Sequence, residues 1–225
     1  IVKTGKSDFI KNLDDIPMMP YFDLRPMKRY VQWSPWGNKI DKTLALLSSR
    51  GCPFHCTFCS GHSVYERLWR PHSPERVLRE IKIAIEKFAI DHIELQDDNF
   101  SLQKNRAMEI LKGIRDLKSN KGDKILWSAP NGLMIDSLDK ELIAMIKESG
   151  AETIYLPIEN GDENILKLMK KPYPEKYLLK AMEVVKNCAE VGIQAGAFII
   201  VGYPGEDRES FEKTLDIGLE LFEKV

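Results

Sequence analysis

Residues 50–60 read RGCPFHCTFCS and carry three of the chain's four cysteines, Cys52, Cys56 and Cys59, in the order Cys-x3-Cys-x2-Cys. Structural zinc takes four ligands, commonly two pairs set about a dozen or more residues apart. Here His55, His62 or His72 would have to complete that shell. A cubane iron-sulfur cluster instead holds each iron on one thiolate. A triplet suits three of its corners and leaves one iron open to a substrate or cofactor, by the logic that separates catalytic from structural zinc. Phe54 and Phe58 give such a cluster an apolar cover that limits solvent access and tunes its potential. His55 reads as a ring that packs or faces solvent.

Outward from this loop the chain alternates strand and helix. TLALLSS, from residue 43, precedes the cysteines, and SPERVLREIKIAIEKFA follows with Ser73 as N-cap, Pro74 at the first helical position and apolar residues at helical spacing. Then come HIELQ with a helix near 102–119, ILWSA with a helix near 138–148, TIYLPI with helices near 162–190, and QAGAFIIV with a helix from about 207. Gly150 and Gly192 stand where helices should stop. Five strand-helix units in a row predict an α/β fold with a parallel sheet covered by helices, either open or closed toward a barrel.

Both architectures bind ligands at the carboxyl ends of the strands. After the first strand stands the cysteine loop; after the others stand Asp97, Asp98 and Asn99, then Pro130, Asn131 and Gly132, then Glu159 and Asn160, then Gly202, Pro204, Gly205 and Glu206. Carboxylates, thiols and glycines thus collect at one rim. Singly, Asp97 and Asp98 also read as caps for the next helix, and Gly202–Glu206 as a tight turn.

Residues 1–40 differ in character: LDDIPMMPYFDLRP is rich in Pro and Asp, and VQWSPWGNK adds turn residues, so they read as an interdomain connector, with the core over 41–225. At 43% hydrophobic and 30% charged content, 225 residues describe an ordinary globular chain. Lys plus Arg number 33 against 34 Asp plus Glu, so no long-range field favours nucleic acid or an anionic membrane. No apolar run approaches the roughly 20 residues that span a bilayer, and the first residues have no secretory-signal pattern. The expectation is a cytoplasmic protein without nucleic-acid or membrane partners. Disulfides are unnecessary in a chain of this length, and Cys188 reads as a buried small apolar residue.

The triplet with an aromatic residue, Phe58, just before its last cysteine resembles the signature of the radical S-adenosylmethionine enzymes. Further stretches, SSRGCPFHCTFCS, RPHSPERVLREI, LQDDNFSL, APNGLMID, PIENGDENILKLMKK and IIVGYPGEDRES, resemble the branch whose members usually carry a cobalamin-binding domain. The resemblance implies a partial TIM-like (β/α)6 radical SAM barrel, with five units visible before the sequence stops. It implies that Cys52, Cys56 and Cys59 hold a [4Fe-4S] cluster whose open iron binds S-adenosylmethionine. Asp97 and Asp98 stand where many members meet the methionine amino group, and Glu159 matches a Glu expected near the ribose or methionine end. Val201 and Gly202 lie where adenine is usually flanked, while Phe58 and Asn131 complete the expected cofactor-binding set.

The implied activity is reductive cleavage of S-adenosylmethionine, most readily within a cobalamin-dependent methyltransferase acting on a small molecule and fed by an electron donor such as flavodoxin or ferredoxin. Cobalamin would come through a domain absent from this chain, which has no Asp-x-His-x-x-Gly stretch. A cyclase or rearrangement enzyme, and a non-catalytic iron-sulfur or zinc module, are the alternatives. Because LFEKV ends inside a helical pattern, the chain reads as a core incomplete at its C-terminus, expected to self-associate and to cleave S-adenosylmethionine only slowly on its own.

Overall fold

The computed structural model describes residue 5, residues 8–20 and residues 42–223. Their strands and α-helices run β1 (Thr43–Leu46), β2 (Ser49–Arg50), α1 (Gly61–Tyr65), β3 (Arg70–Pro71), α2 (Pro74–Phe88), β4 (His92–Leu95), α3 (Lys104–Asp116), β5 (Leu126–Ser128), α4 (Lys140–Glu148), β6 (Thr153–Glu159), α5 (Glu163–Leu168), α6 (Pro174–Glu190), β7 (Gln194–Ile199) and α7 (Arg208–Glu223). β1, β4 and β5 form one parallel sheet in that order, and β6 and β7 form a parallel pair. A hydrogen bond from Leu133 N–H to the Tyr155 carbonyl, 2.9 Å, joins the two across the loop after β5. The result is the α/β arc of a partial barrel.

Local chemistry explains each element. Ser73 Oγ accepts from the Arg76 N–H at 3.2 Å, Pro74 opens α2, and Val77, Ile81, Ala84 and Ile85 make one buried face. Asp139 caps α4 in the same way, accepting from Leu142 N–H at 2.9 Å. The strands send Leu44, Leu46, Ile93, Leu95, Ile154, Leu156 and Ile158 into the core that these helices cover. Gly150 ends α4 at φ 110°, and a Cβ there would stand 2.3 Å from the Ile125 carbonyl oxygen, so only glycine lets the chain pass β5.

Two expectations are refined. The helix expected near 102–119 spans Lys104–Asp116, because Ser119 Oγ accepts from the N–H groups of Lys121 and Asp123 and turns the chain. The helical region near 162–190 is two helices, α5 and α6, interrupted by Lys170 and Tyr173 in left-handed conformation on either side of Lys171-Pro172. The short β2/β3 ladder and α1 were not foreseen. Cys188 is fully buried as expected, and burial pushes its thiol up to about 12.

Part of the segment expected to be a connector is docked. Leu13 is fully buried within a 3-10 turn, Leu13–Asp15. Asp14 accepts from Ser73 N–H at 3.2 Å and pairs with His72 Nδ1 at 2.9 Å, while Arg76 donates to the Ile16 carbonyl at 3.0 Å. Residues 21–41, where most of the remaining connector falls, lie outside the described residues. Ile199, Val201, Leu215 and Leu219 are exposed on β7, just beyond it and on α7. No described helix is long and apolar enough to cross a membrane.

Candidate cofactor site

The cysteine loop is tied at both ends. At its stem Asp97 accepts from Ser48 N–H (3.1 Å), Ser48 Oγ (2.9 Å) and Ser49 Oγ, and Asp98 accepts from Gly51 N–H (2.9 Å). Gly51 sits at φ 83°, where a Cβ would lie 2.1 Å from the Leu68 carbonyl oxygen, so the residue before Cys52 has to be glycine. Farther along, Thr57 donates its N–H to the Met169 carbonyl (3.0 Å) and its hydroxyl lies 2.5 Å from Tyr203 Oη. The loop therefore spans from the β1 and β4 ends to the segments following α5 and β7.

Cys52, Cys56 and Cys59 are free thiols. They line a cavity of about 200 Å³ together with Phe54, Phe58, Asp98, Asn99, Asn131, Glu159, Lys171 and Tyr177. The same three thiols line a second cavity of about 210 Å³ that reaches Gly61 and His62. Gly61 N–H lies 3.4 Å from Cys59 Sγ, and His62 Nδ1 lies 2.8 Å from the Cys59 carbonyl. Burial raises the Cys56 thiol, as do the neighbouring Cys52 and Cys59 sulfurs, while Lys171 opposes the shift.

In the same cavity, Glu159 ends β6 in left-handed conformation, φ 66°, after a shift in strand register. A non-glycine residue held there carries strain of about 1–3 kcal/mol, typical of rims that bind ligands. Its carboxylate is 3.3 Å from Lys171 Nζ, and both residues are buried. Burial raises the Glu159 carboxyl, and the lysine pulls the other way. The Lys171 ammonium also faces the Tyr177 ring at 4.8 Å and the Phe58 ring at 6.0 Å. Tyr177 donates to the Pro157 carbonyl at 2.6 Å and so fixes that wall.

Of the residues expected from sequence, the fold brings Cys52, Cys56, Cys59, Phe58, Asp98, Asn131 and Glu159 to one cavity. Asn131 Nδ2 donates to the carbonyls of Gln96 and Asp97, fixing its side chain over the β4 end. Asp97 is 2% exposed and stands behind the loop, its carboxyl raised by burial, with the serine hydrogen bonds and Arg106 opposing. Val201, 59% exposed, and Gly202 are beyond β7 and not on that wall. Gly202 N–H is held by the Glu206 carboxylate, which also accepts from Asn160 Nδ2 at 2.7 Å. Lys171 was missed: within LKLMKKPYP it reads as part of a solvated basic run, and no spacing rule links it to Glu159.

His72, one of the three histidines that could complete a zinc shell, is engaged with Asp14.

Residues 46–217 match the Radical SAM superfamily. The chain is 33% identical over 213 residues to an uncharacterised methyltransferase of Pyrococcus horikoshii, covering 94% of this chain and 43% of the relative. It is 28% identical over 235 residues to cytidylyl-2-hydroxyethylphosphonate methyltransferase of Streptomyces wedmorensis, covering 97% and 42% respectively. It therefore spans less than half the length of these relatives. In fold it is similar to the radical S-adenosylmethionine methyltransferase TsrM from Kitasatospora setae, solved with cobalamin and a [4Fe-4S] cluster bound, with TM-score 0.67 and 18% identity over 79% of this chain and 34% of that one. With the family match running from the end of β1 into α7 and the cysteine triplet at the rim, this chain belongs to the radical SAM superfamily.

Proposed function

We propose that this chain is the core of a radical S-adenosylmethionine enzyme, in which Cys52, Cys56 and Cys59 hold a [4Fe-4S] cluster, and that the whole protein is a cobalamin-dependent methyltransferase acting on a small molecule. One observation carries the reading: three free thiols line two cavities, one of which is also lined by a buried Glu159–Lys171 pair. The donor set fits the group, since three soft ligands on one loop leave a corner for a non-protein ligand. Bound there, the cluster supplies the electron that splits the sulfonium of S-adenosylmethionine into methionine and a 5'-deoxyadenosyl radical.

The protein's part is aim and exclusion. The Lys171 ammonium offers a partner to the methionine carboxylate, and Glu159 offers negative charge to the cationic sulfonium and hydrogen-bond acceptance to the ribose. Asp98 and Asn131 supply polar contacts on the same wall, Phe54 and Phe58 shield the cluster, and Val201 and Gly202 flank the adenine. Asp97 acts through the loop that it pins. An electron donor such as flavodoxin or ferredoxin docks over the thiols, and cobalamin is held by the whole protein outside these residues.

Anaerobic reconstitution tests the reading. The expected result is about four irons per chain, and dithionite-dependent formation of 5'-deoxyadenosine, both lost in Cys56→Ala. Stoichiometric zinc with no iron uptake would overturn it.

A further inference from the structure

Asp97, Asp98 and Asn99 are consecutive, and each bonds a residue of the cysteine-loop stem: Ser48 and Ser49, then Gly51, then Cys52. The first two rungs hold backbone and hydroxyl groups. The third touches a thiol itself, with Asn99 Nδ2 3.6 Å from Cys52 Sγ. Asn99 is buried, and its backbone carbonyl accepts from Trp69 Nε1 at 3.1 Å, which holds the main chain at this position. Its amide has one other contact, Met134 Sδ at 3.8 Å, while Oδ1 is buried without a protein partner. Reversing the amide would present an oxygen to the thiolate and leave the N–H pair unbonded. The donor orientation toward Cys52 is the one the surroundings favour.

Resting on the cluster reading above, we infer that Asn99 is a positioning residue that donates an N–H···S hydrogen bond to the Cys52 thiolate and thereby sets the cluster's reduction potential. Hydrogen bonds to ligating sulfurs are a main lever on that potential. The reduced cluster carries one more negative charge, so a donor stabilises it more than the oxidised form, and the potential rises.

The test uses anaerobically reconstituted protein and a redox titration followed by electron paramagnetic resonance at pH 8. Asn99→Leu removes the donor, and Asn99→Asp replaces it with an acceptor in the same shape. Both are expected to keep the wild-type iron load while the midpoint moves negative, more so in Asn99→Asp. A shift on the order of tenfold in the reduction equilibrium would read as about 59 mV for one electron. Met134→Leu, which removes the second acceptor of the same amide, is expected to leave the midpoint where it was. An unchanged midpoint in both Asn99 variants overturns the inference, and so does loss of iron from both, because a tuning donor is not needed for binding. Wild-type protein that takes up no iron would instead refute the cluster reading itself.

Discussion

Glu159 and Lys171 are buried, 3.3 Å apart, and oppositely charged. Removing one member of such a pair leaves the other desolvated without a partner, a loss of roughly 3–5 kcal/mol, whereas removing both costs far less. Lys171→Met is therefore expected to lower unfolding free energy by about 3 kcal/mol, and the double variant Glu159→Gln/Lys171→Met to recover much of that, as read by urea denaturation. Equal losses in the single and double variants would show that the two are not coupled. The pair also marks the limit of sequence reading at this scale. The thiols are legible because their proposed ligand role rests on local spacing. Lys171 gains its meaning from Glu159 and Tyr177, brought to it by the break between α5 and α6. Asp97 and Asp98 were legible as rim residues, but adjacent carboxylates gave no sign that one would face backward into Ser48 and Ser49.

Among the elements, α2 has two anchors at its start. Ser73 caps it from within, and Asp14 accepts a further bond from Ser73 N–H. Burial alone would raise the Asp14 carboxyl, but hydrogen bonds from Ser73 and His72 outweigh it and hold the group below the usual carboxylate range. Its contribution is thus present above that range and lost as pH falls through the lowered value. Asp14→Ala is expected to cost about 1 kcal/mol and to speed amide exchange at residues 13–16 without changing exchange in α4. No change at 13–16 would mean that Leu13 alone holds the segment. Strand and helix order was legible from periodicity because each long element buries one face. β2 and β3, two residues each, are too short to express a period, and the separation of β5 from β6 depends on a loop crossing that no pattern announces.

At the scale of the whole molecule, one buried histidine links stability to pH. His92 is buried on β4 beside Thr43, and burial depresses its ring to about 4 from an ordinary 6.5. The unfolded ring takes up its proton first as pH drops, so the stability from keeping it neutral is complete above 6.5 and declines toward 4. The full decline from this group is about 3 kcal/mol. Urea midpoints at pH 7.5 and 5 are expected to differ more in the wild-type chain than in His92→Gln; identical differences would exclude the ring as the cause.

The double anchoring of the cysteine loop, at Asp97 and Asp98 on one side and at Met169 and Tyr203 on the other, has a consequence for repair. Small zinc modules unfold when a chelator strips them, since binding energy is their folding energy. Here Asp97, Asp98, Met169 and Tyr203 hold the loop through hydrogen bonds of the polypeptide itself. Stripping by oxygen or chelator should therefore leave an empty but folded receptacle that refills with iron and sulfide, with no denaturation step between. Circular dichroism melts of stripped and reconstituted protein are expected to agree within a few degrees; collapse of the stripped form at room temperature would show that the metal, not the polypeptide, keeps the loop.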